Sequence, residues 1–408
     1  MVVCDRKSIL VAMPVSQPIR VGSEASDPVE NPHDASAVPG FLRGPAALAA
    51  IIETAASHAG LPPSVMVRLL DSPTPGLLDL LFAAARRQRE RHFGNRVFFY
   101  GLLCISTYCR NRCSFCDYRK SNTEAVRYRK TPTEVVAYAR QLARSGVHLI
   151  NLTAGEDPVY FNGDPHSTDP VIDMVRLIRK DTGLPVMISF GALTGSMLER
   201  MQAAGADWFA CYQDTFNRQL FEQLRVGQDF AARYHSKVMA KARGMLMEEG
   251  ILCGIGETSK DIMDALAAMS RLNADQVRAI TFVPQAGTPR RDDIPASSLR
   301  ELIIIALMRI TFPGLLIPAS LEAGGLAGLR KRLDAGANVV TGLVPPGTGL
   351  AGMISNVLRF KSDWPTVNGI GRILQSCGLA PASAEDYRHW MQRRKRTAAR
   401  PSERSRAG

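Results

Sequence analysis

Between Val97 and Val344 eight short β-rich runs alternate with seven helical stretches, which leaves few architectures open to the chain. The β-rich runs are Val97–Ser106, His148–Ala154, Pro185–Phe190, Trp208–Tyr212, Ile251–Ile255, Ala279–Pro284, Leu315–Pro318 and Asn338–Val344. Helical patterns fill the gaps at Pro132–Ser145, Val171–Thr182, Ser196–Ala204, Arg233–Glu249, Lys260–Leu272, Ser298–Thr311 and Gly324–Ala335. Several open on Thr or Ser ahead of Pro or Glu, as in Thr131-Pro132-Thr133-Glu134. Gly146, Gly183, Gly205, Gly250, Gly314 and Gly336 stand where a helix would stop before a strand. Eight strands alternating with helices over about 250 residues predict an α/β protein of the (β/α)8 barrel type. The open doubly wound sheet calls for a Gly-rich phosphate turn after its first strand. Here the first strand runs into a cysteine loop instead, which favours the barrel and directs attention to the C-terminal ends of its strands.

The flanks divide the rest of the chain. Residues 1–40 are crowded with Ser, Pro, Gly and Asp without any period and predict a disordered leader. Residues 41–96 predict an N-terminal helical extension, with helices at Ala46–Ala56 and Leu77–His92 broken by Asp71-Ser72-Pro73-Thr74-Pro75. Residues 97–392 then hold the barrel and C-terminal helices, and residues 393–408 a basic, disordered tail. That tail bears on the net charge of +12, because Gln392–Gly408 carries seven basic residues and one acidic residue. Its arginines lack interleaved aromatics, so a nucleic-acid-binding or nucleic-acid-modifying protein is the less favoured class. No apolar run reaches the ~18–20 residues of a membrane helix. Asp5, Arg6 and Lys7 interrupt the N-terminus as a secretion signal, so a cytoplasmic enzyme is expected.

Of eight cysteines, Cys4, Cys104, Cys211, Cys253 and Cys377 are scattered singly, as small buried side chains are. Cys109, Cys113 and Cys116 fall within the eleven residues Tyr108–Tyr118, with three and then two residues between them. A tight cluster reads as a metal or redox site. Zinc would want a fourth Cys or His, and neither His148 nor His166 makes a standard pair. A 4Fe-4S cluster takes four thiolates as a rule, so three leave one iron open to an exogenous ligand.

The spacing Cys-x3-Cys-x2-Cys, with Phe115 ahead of the last cysteine, resembles the radical S-adenosylmethionine enzymes. That resemblance implies one 4Fe-4S cluster held by Cys109, Cys113 and Cys116, with S-adenosylmethionine chelated to the open iron. Ala154-Gly155-Glu156 resembles the family's Gly-Gly-Glu element, which holds the methionine amino group. Gly254-Ile255-Gly256-Glu257-Thr258 resembles its Gly-x-Gly-Glu-Thr turn and also reads as an ordinary strand-to-helix turn. Gln213 and Asp214, after strand four, stand where relatives place polar groups near the ribose. Arg233 matches an arginine for the methionine carboxylate, or else is a solvated residue at a helix start. Ser189 ends strand three and is either a pocket hydroxyl or a structural one. Phe115, Gly155, Glu156, Ser189, Gln213, Asp214 and Arg233 are thus the cofactor-binding candidates.

Within that superfamily, Phe99–Gly101, Ser106–Asn111, Tyr118–Asn122, Leu224–Gln228, Thr281–Pro289, Pro318–Leu321 and Leu333–Thr341 resemble the methylornithine synthases of pyrrolysine biosynthesis. The resemblance spans roughly Ala46 to Arg393 and implies isomerisation of L-lysine to (3R)-3-methyl-D-ornithine, fed by a low-potential electron donor. In that reaction the Cα–Cβ bond of lysine breaks and the two fragments rejoin at a neighbouring carbon, so both must be anchored away from water. The matching substrate-binding positions are Asp157, Arg278, Ser320 and Glu322, the last where the family pattern has Asp. Asp157 also reads as a turn residue before Pro158, and Glu322 as the first turn of a helix. Alternatives on the same scaffold are a radical enzyme for another amino acid and a sulfur-inserting enzyme like biotin synthase, which would want a second cluster near Cys211 and Cys253.

Overall fold

The computed structural model describes residues 45–55, 60–321, 325–345 and 365–399. The expected leader and the last nine residues of the expected tail lie outside them. Eight parallel strands form the barrel: β1 (Arg96–Ser106), β2 (Leu149–Ala154), β3 (Val186–Ser189), β4 (Ala206–Ala210), β5 (Leu246–Cys253), β6 (Gln276–Thr281), β7 (Pro318–Ser320) and β8 (Val339–Leu343). Their order is β6-β5-β4-β3-β2-β1-β8-β7. A single bridge between Gln276 and Leu316 brings β7 back beside β6, so the ring nearly closes.

Local chemistry starts and stops the helices much as the sequence leads one to expect. Thr131 and Glu134 form a reciprocal capping box ahead of α4 (Pro132–Ser145), and Gly146 ends it in the left-handed region at φ +91°. The N-terminal helices α2 (Pro63–Asp71) and α3 (Pro75–Phe93) pack against the barrel's outer layer through Leu69, Leu81, Ala84 and Ala85, and α1 (Pro45–Ala55) packs against α3.

Four strands are displaced from expectation. The helix expected at Arg233–Glu249 is α8 (Phe230–Ala242), and β5 begins at Leu246, five residues ahead of the expected start. Met245-Leu246-Met247-Glu248-Glu249 has good helical propensity. Gly244 breaks the helix at φ +76°, and partners distant in sequence bury both glutamates within the strand. Gly250 is therefore a strand residue rather than a helix stop. Strands β4 and β6 begin two and three residues earlier than expected, taking in Asp207, Gln276 and Arg278. β7 lies later, at Pro318–Ser320.

The lower barrel is closed by the C-terminal helices, which were expected within residues 97–392 without bounds. A short strand, β9 (Ala380–Pro381), pairs with the start of β1, and α13 (Ala384–Ala399) follows it. Tyr387, Trp390 and Met391 enter the cluster of Phe98, Tyr100, Leu149, Met187, Trp208 and Leu246. Trp390 stacks on Trp208 with ring centroids 5.8 Å apart and planes 5° from parallel. The Tyr100 and Tyr387 hydroxyls share a hydrogen bond of 2.8 Å. Residues 393–399, expected to be a disordered tail, continue this helix. Arg394 binds Asp275 at 2.9 Å and Lys395 binds Asp207 at 2.8 Å, so part of the basic charge is spent on the barrel itself. With the bottom plugged, open space is left at the C-terminal ends of the strands.

Candidate active site

The cysteine loop leaves β1 and is tied down on both sides. Arg110 N–H donates to the Glu156 carbonyl at 3.0 Å, and Ser114 N–H donates to the Leu224 carbonyl at 2.8 Å. Gly155, just after β2, lies against the loop so closely that a Cβ there would stand 2.7 Å from Cys109 Cβ and overlap the Tyr108 carbonyl. The glycine is therefore a steric requirement of the loop's position. Cys113 is buried and receives Gln228 Nε2 at 2.9 Å, with Arg225 3.8 Å away. Burial pushes the Cys109 and Cys116 thiols up, and the neighbouring cysteines add to that at both positions. Thiolates so placed need a positive partner, which iron supplies. Among the described residues, no three His, Cys, Asp or Glu side chains close on a single ion. Three thiols that each take a different iron of a cluster fit that spacing better than one mononuclear site does.

A connected set of charges surrounds the loop. The Glu156 carboxylate, buried at 7% exposure, lies 2.9 Å from Arg110 and 3.5 Å from Arg233. Gly191, at φ +82°, makes room for it, since a Cβ there would stand 2.6 Å from Glu156 Cγ. Arg233 is buried rather than solvated and binds Gln228 Oε1 at 3.1 Å and the Tyr212 carbonyl at 2.8 Å. Its Nε has no hydrogen-bond partner among the described residues. Asp214 adopts φ +64° and holds Arg225 at 2.5 Å beside Cys113. Burial by itself would lower the Arg225 guanidinium; Asp214 and the cysteines outweigh it and hold the group above its ordinary value.

Below the loop is a cavity of ≈ 330 Å³ that joins the cysteine loop to the barrel interior. Phe115, Cys116, Asp117 and Tyr118 line its loop side. Asn151, Thr153, Ser189, Tyr212, Leu252, Arg278, Ile280, Thr281, Phe282 and Gln285 line the barrel side. Arg278, on β6, is held from beneath: Nε donates to Glu248 Oε1 at 2.7 Å, and the Tyr212 hydroxyl donates to Glu248 Oε2 at 2.9 Å. A Cβ on Gly250 would stand 2.9 Å from the Tyr212 ring, so that glycine lets the tyrosine lie in place.

The expected residues separate into groups. Phe115, Cys116, Ser189 and Arg278 border the cavity, and Glu156, Arg233 and Asp214 gather around the cysteine loop. Ser320, wholly buried at the end of β7, has a hydroxyl with no hydrogen-bond partner among the described residues. Glu322 lies outside the described residues. Two residues are spent elsewhere. Gln213 is locked in the barrel wall, accepting from Lys237 at 2.8 Å and donating to the Phe230 carbonyl at 3.1 Å. Lys237 in turn pairs with Glu249, and all three side chains are completely buried. Asp157 is not part of the cavity wall: Arg129 grips both its oxygens at 2.7 and 3.0 Å, and Ser106 and the Val159 N–H complete the set. That engagement lowers its carboxyl, against a burial effect that alone would raise it. Glu257 is likewise a turn residue, accepting from the Gly254 and Ile255 N–H groups and from Arg300. The sequence reading missed Glu248, which it placed in a helix; that it is buried beneath Arg278 is decided by the tertiary structure.

Residues 103–269 match the model of the Radical SAM superfamily, whose members work with a 4Fe-4S cluster and S-adenosylmethionine. The loop, the buried charges around it and the barrel cavity define an enzyme of that class. A 3-methylornithine synthase of Methanosarcina acetivorans is 38% identical over 310 residues, covering 76% of this chain and 87% of that protein. The crystal structure of a methylornithine synthase superposes with a TM-score of 0.78 at 36% identity, covering 83% of this chain and 99% of that one. The FeFe hydrogenase maturase subunit HydE of Thermotoga maritima is 31% identical over 65% of this chain and 75% of its own length. The chain belongs to the 3-methylornithine synthase family.

Proposed function

We propose that this protein isomerises L-lysine to (3R)-3-methyl-D-ornithine in pyrrolysine biosynthesis, as a cytoplasmic enzyme supplied by a low-potential electron donor. The observation that carries the reading is the cavity that places a buried, braced arginine, Arg278, below the cysteine loop in a chain 38% identical to a 3-methylornithine synthase. Cys109, Cys113 and Cys116 hold the cluster. Glu156 and Arg233 meet the amino and carboxylate groups of the methionine portion, which gives the unpartnered Arg233 Nε a use. When bound, S-adenosylmethionine supplies the one-electron chemistry that takes a hydrogen atom from the substrate and later returns it. Arg278 binds the substrate carboxylate, because a planar guanidinium presents two parallel donors. Glu248 and Tyr212 fix its orientation, so that little reorganisation accompanies binding. Phe115, Leu252, Ile280 and Phe282 keep water from the separated fragments. Ser320 supplies a further hydrogen bond, while Asp157 shapes the loop that follows β2.

The test is anaerobic incubation of the reconstituted protein with S-adenosylmethionine, a reductant and L-lysine. Substrate and product have equal mass, so derivatised chromatography must resolve a new isomer, alongside 5′-deoxyadenosine. Alanine at Cys109, Cys113 or Cys116 is expected to abolish both products, whereas Cys104→Ala keeps its iron. Formation of 5′-deoxyadenosine with no lysine isomer would overturn the substrate assignment.

A further inference from the structure

Between α7 (Arg218–Leu224) and α8 the chain makes a turn that comes up against the cysteine loop, where the Leu224 carbonyl accepts from the Ser114 N–H. Gly227, at φ +76°, and a bond from the Gln228 N–H to the Arg225 carbonyl at 2.9 Å shape that turn. It presents the Gln228 side-chain amide to three groups at once. Oε1 accepts from Arg233 at 3.1 Å and from Arg225 at 3.4 Å. Nε2 donates to Cys113 Sγ at 2.9 Å. The direction of the amide follows from its neighbours. A guanidinium offers donors and no acceptor, so the oxygen faces the two arginines and the nitrogen faces the sulfur. Both arginines are themselves held, Arg225 by Asp214 at 2.5 Å and Arg233 by the Tyr212 carbonyl at 2.8 Å. Cys113 is 5% exposed, so little water competes for its sulfur.

Cys113 is a cluster ligand on the reading proposed above, and a donor aimed at a ligand sulfur acts on the electron the cluster carries. Reduction adds one negative charge, part of which falls on the thiolates. A hydrogen bond to such a sulfur therefore stabilises the reduced form more than the oxidised one and raises the potential. We propose that Gln228 sets the reduction potential of the cluster through its hydrogen bond to Cys113, and that Arg225 and Arg233 are the positioning residues that keep its amide in the donating orientation. Gln228 acts through Cys113 and touches no reacting atom, so its role does not depend on which amino acid is the substrate. Arg225, 3.8 Å from the same sulfur, places a positive charge on the same side. A less negative potential makes the cluster easier for its electron donor to reduce.

The experiment is an anaerobic redox titration of cluster-loaded protein, followed by the electron paramagnetic resonance of the reduced cluster, with iron counted per chain and no amino-acid substrate present. Gln228→Met keeps the length of the side chain and removes its donor. It is expected to raise the ratio of oxidised to reduced cluster at a fixed potential about tenfold, the scale of a lost hydrogen bond to a charged group. For a one-electron couple that is a shift of about 59 mV to more negative potential. Gln228→Glu keeps an acceptor for both arginines and sets an oxygen against the sulfur, so it is expected to shift the potential in the same direction. A potential unchanged in loaded Gln228→Met overturns the proposal. Should both variants load poorly, wild-type protein with heavy nitrogen in its glutamine side-chain amides decides. Its reduced cluster is expected to show a coupling to that nitrogen in pulsed electron paramagnetic resonance, and no coupling overturns the proposal. Full iron in Cys113→Ala defeats the ligand set, and this inference with it; iron lost there, with an unchanged potential in Gln228→Met, defeats this inference alone.

Discussion

Arg278 shows what a buried charge needs before it can serve a ligand. Its Nε is committed to Glu248, which is completely buried and also takes the Tyr212 hydroxyl. Removing one partner of such a pair costs about 3–5 kcal/mol, because the other charge is left in a low-dielectric interior. Glu248→Gln keeps the shape and loses the charge, so it is expected to lower the melting temperature by several degrees and to raise the lysine KM. Arg278→Lys keeps a positive charge without the fork. It is expected to raise the lysine KM about tenfold or more, with iron content as in wild type. Steady-state kinetics with a parallel iron assay checks both; a KM unchanged in Arg278→Lys would remove Arg278 from the carboxylate site.

At the scale of elements, the contact between the cysteine loop and the end of β2 is set by a missing side chain. Gly155→Ala would push its Cβ into the Tyr108 carbonyl and against Cys109, where backbone, and not a flexible tip, must move. We expect less than half the wild-type iron per chain after reconstitution, with the barrel's circular dichroism retained. The start of β2 carries a different device. His148 Nδ1 accepts from the Phe99 N–H at 2.9 Å, and Nε2 lies 2.9 Å from the Ala382 carbonyl, so a neutral ring clasps the C-terminal segment to the barrel. Burial lowers the ring below its usual 6.5, and the carbonyl contact opposes that only in part. Protonation would aim a second N–H at the Phe99 N–H. With the folded value depressed, the unfolded chain takes up the proton first. The clasp's stability is therefore present above about pH 6.5 and is lost as pH falls below it. Urea midpoints from pH 7.5 to 5.5 should fall in wild type and fall less in His148→Asn; parallel slopes would clear His148 of that role.

The whole molecule is a barrel with one closed end and one working end. Its lower end is sealed by α13, which arrives almost last in the sequence and brings Tyr387, Trp390 and Met391 under the strands. Trp390 also donates to the Gly314 carbonyl at 3.2 Å. Trp390→Ala is expected to cost about 3–5 kcal/mol, the range for truncating a buried aromatic, as a lower denaturant midpoint. The cysteine loop is at the other end, so iron content should hold in whatever fraction stays folded. Loss of iron in step with mild destabilisation would show the two ends to be coupled.

What the sequence determined by itself was everything periodic or local. Eight strands alternating with helices, the Thr131 capping box and the Cys-x3-Cys-x2-Cys spacing were legible because residues a few positions apart enforce them. The family resemblance added Glu156, Arg233 and Arg278, which the structure gathers around the loop and the cavity. Tertiary structure decided which polar groups face the cavity and which are consumed in the walls. Gln213 and Asp157 looked available, and Lys237 and Arg129 take them. Glu248 and Glu249 looked helical, and Arg278 and Lys237 bury them in a strand. The physical reason is the same each time: a polar group can leave water only beside a partner, and that partner is brought by the fold from far along the chain.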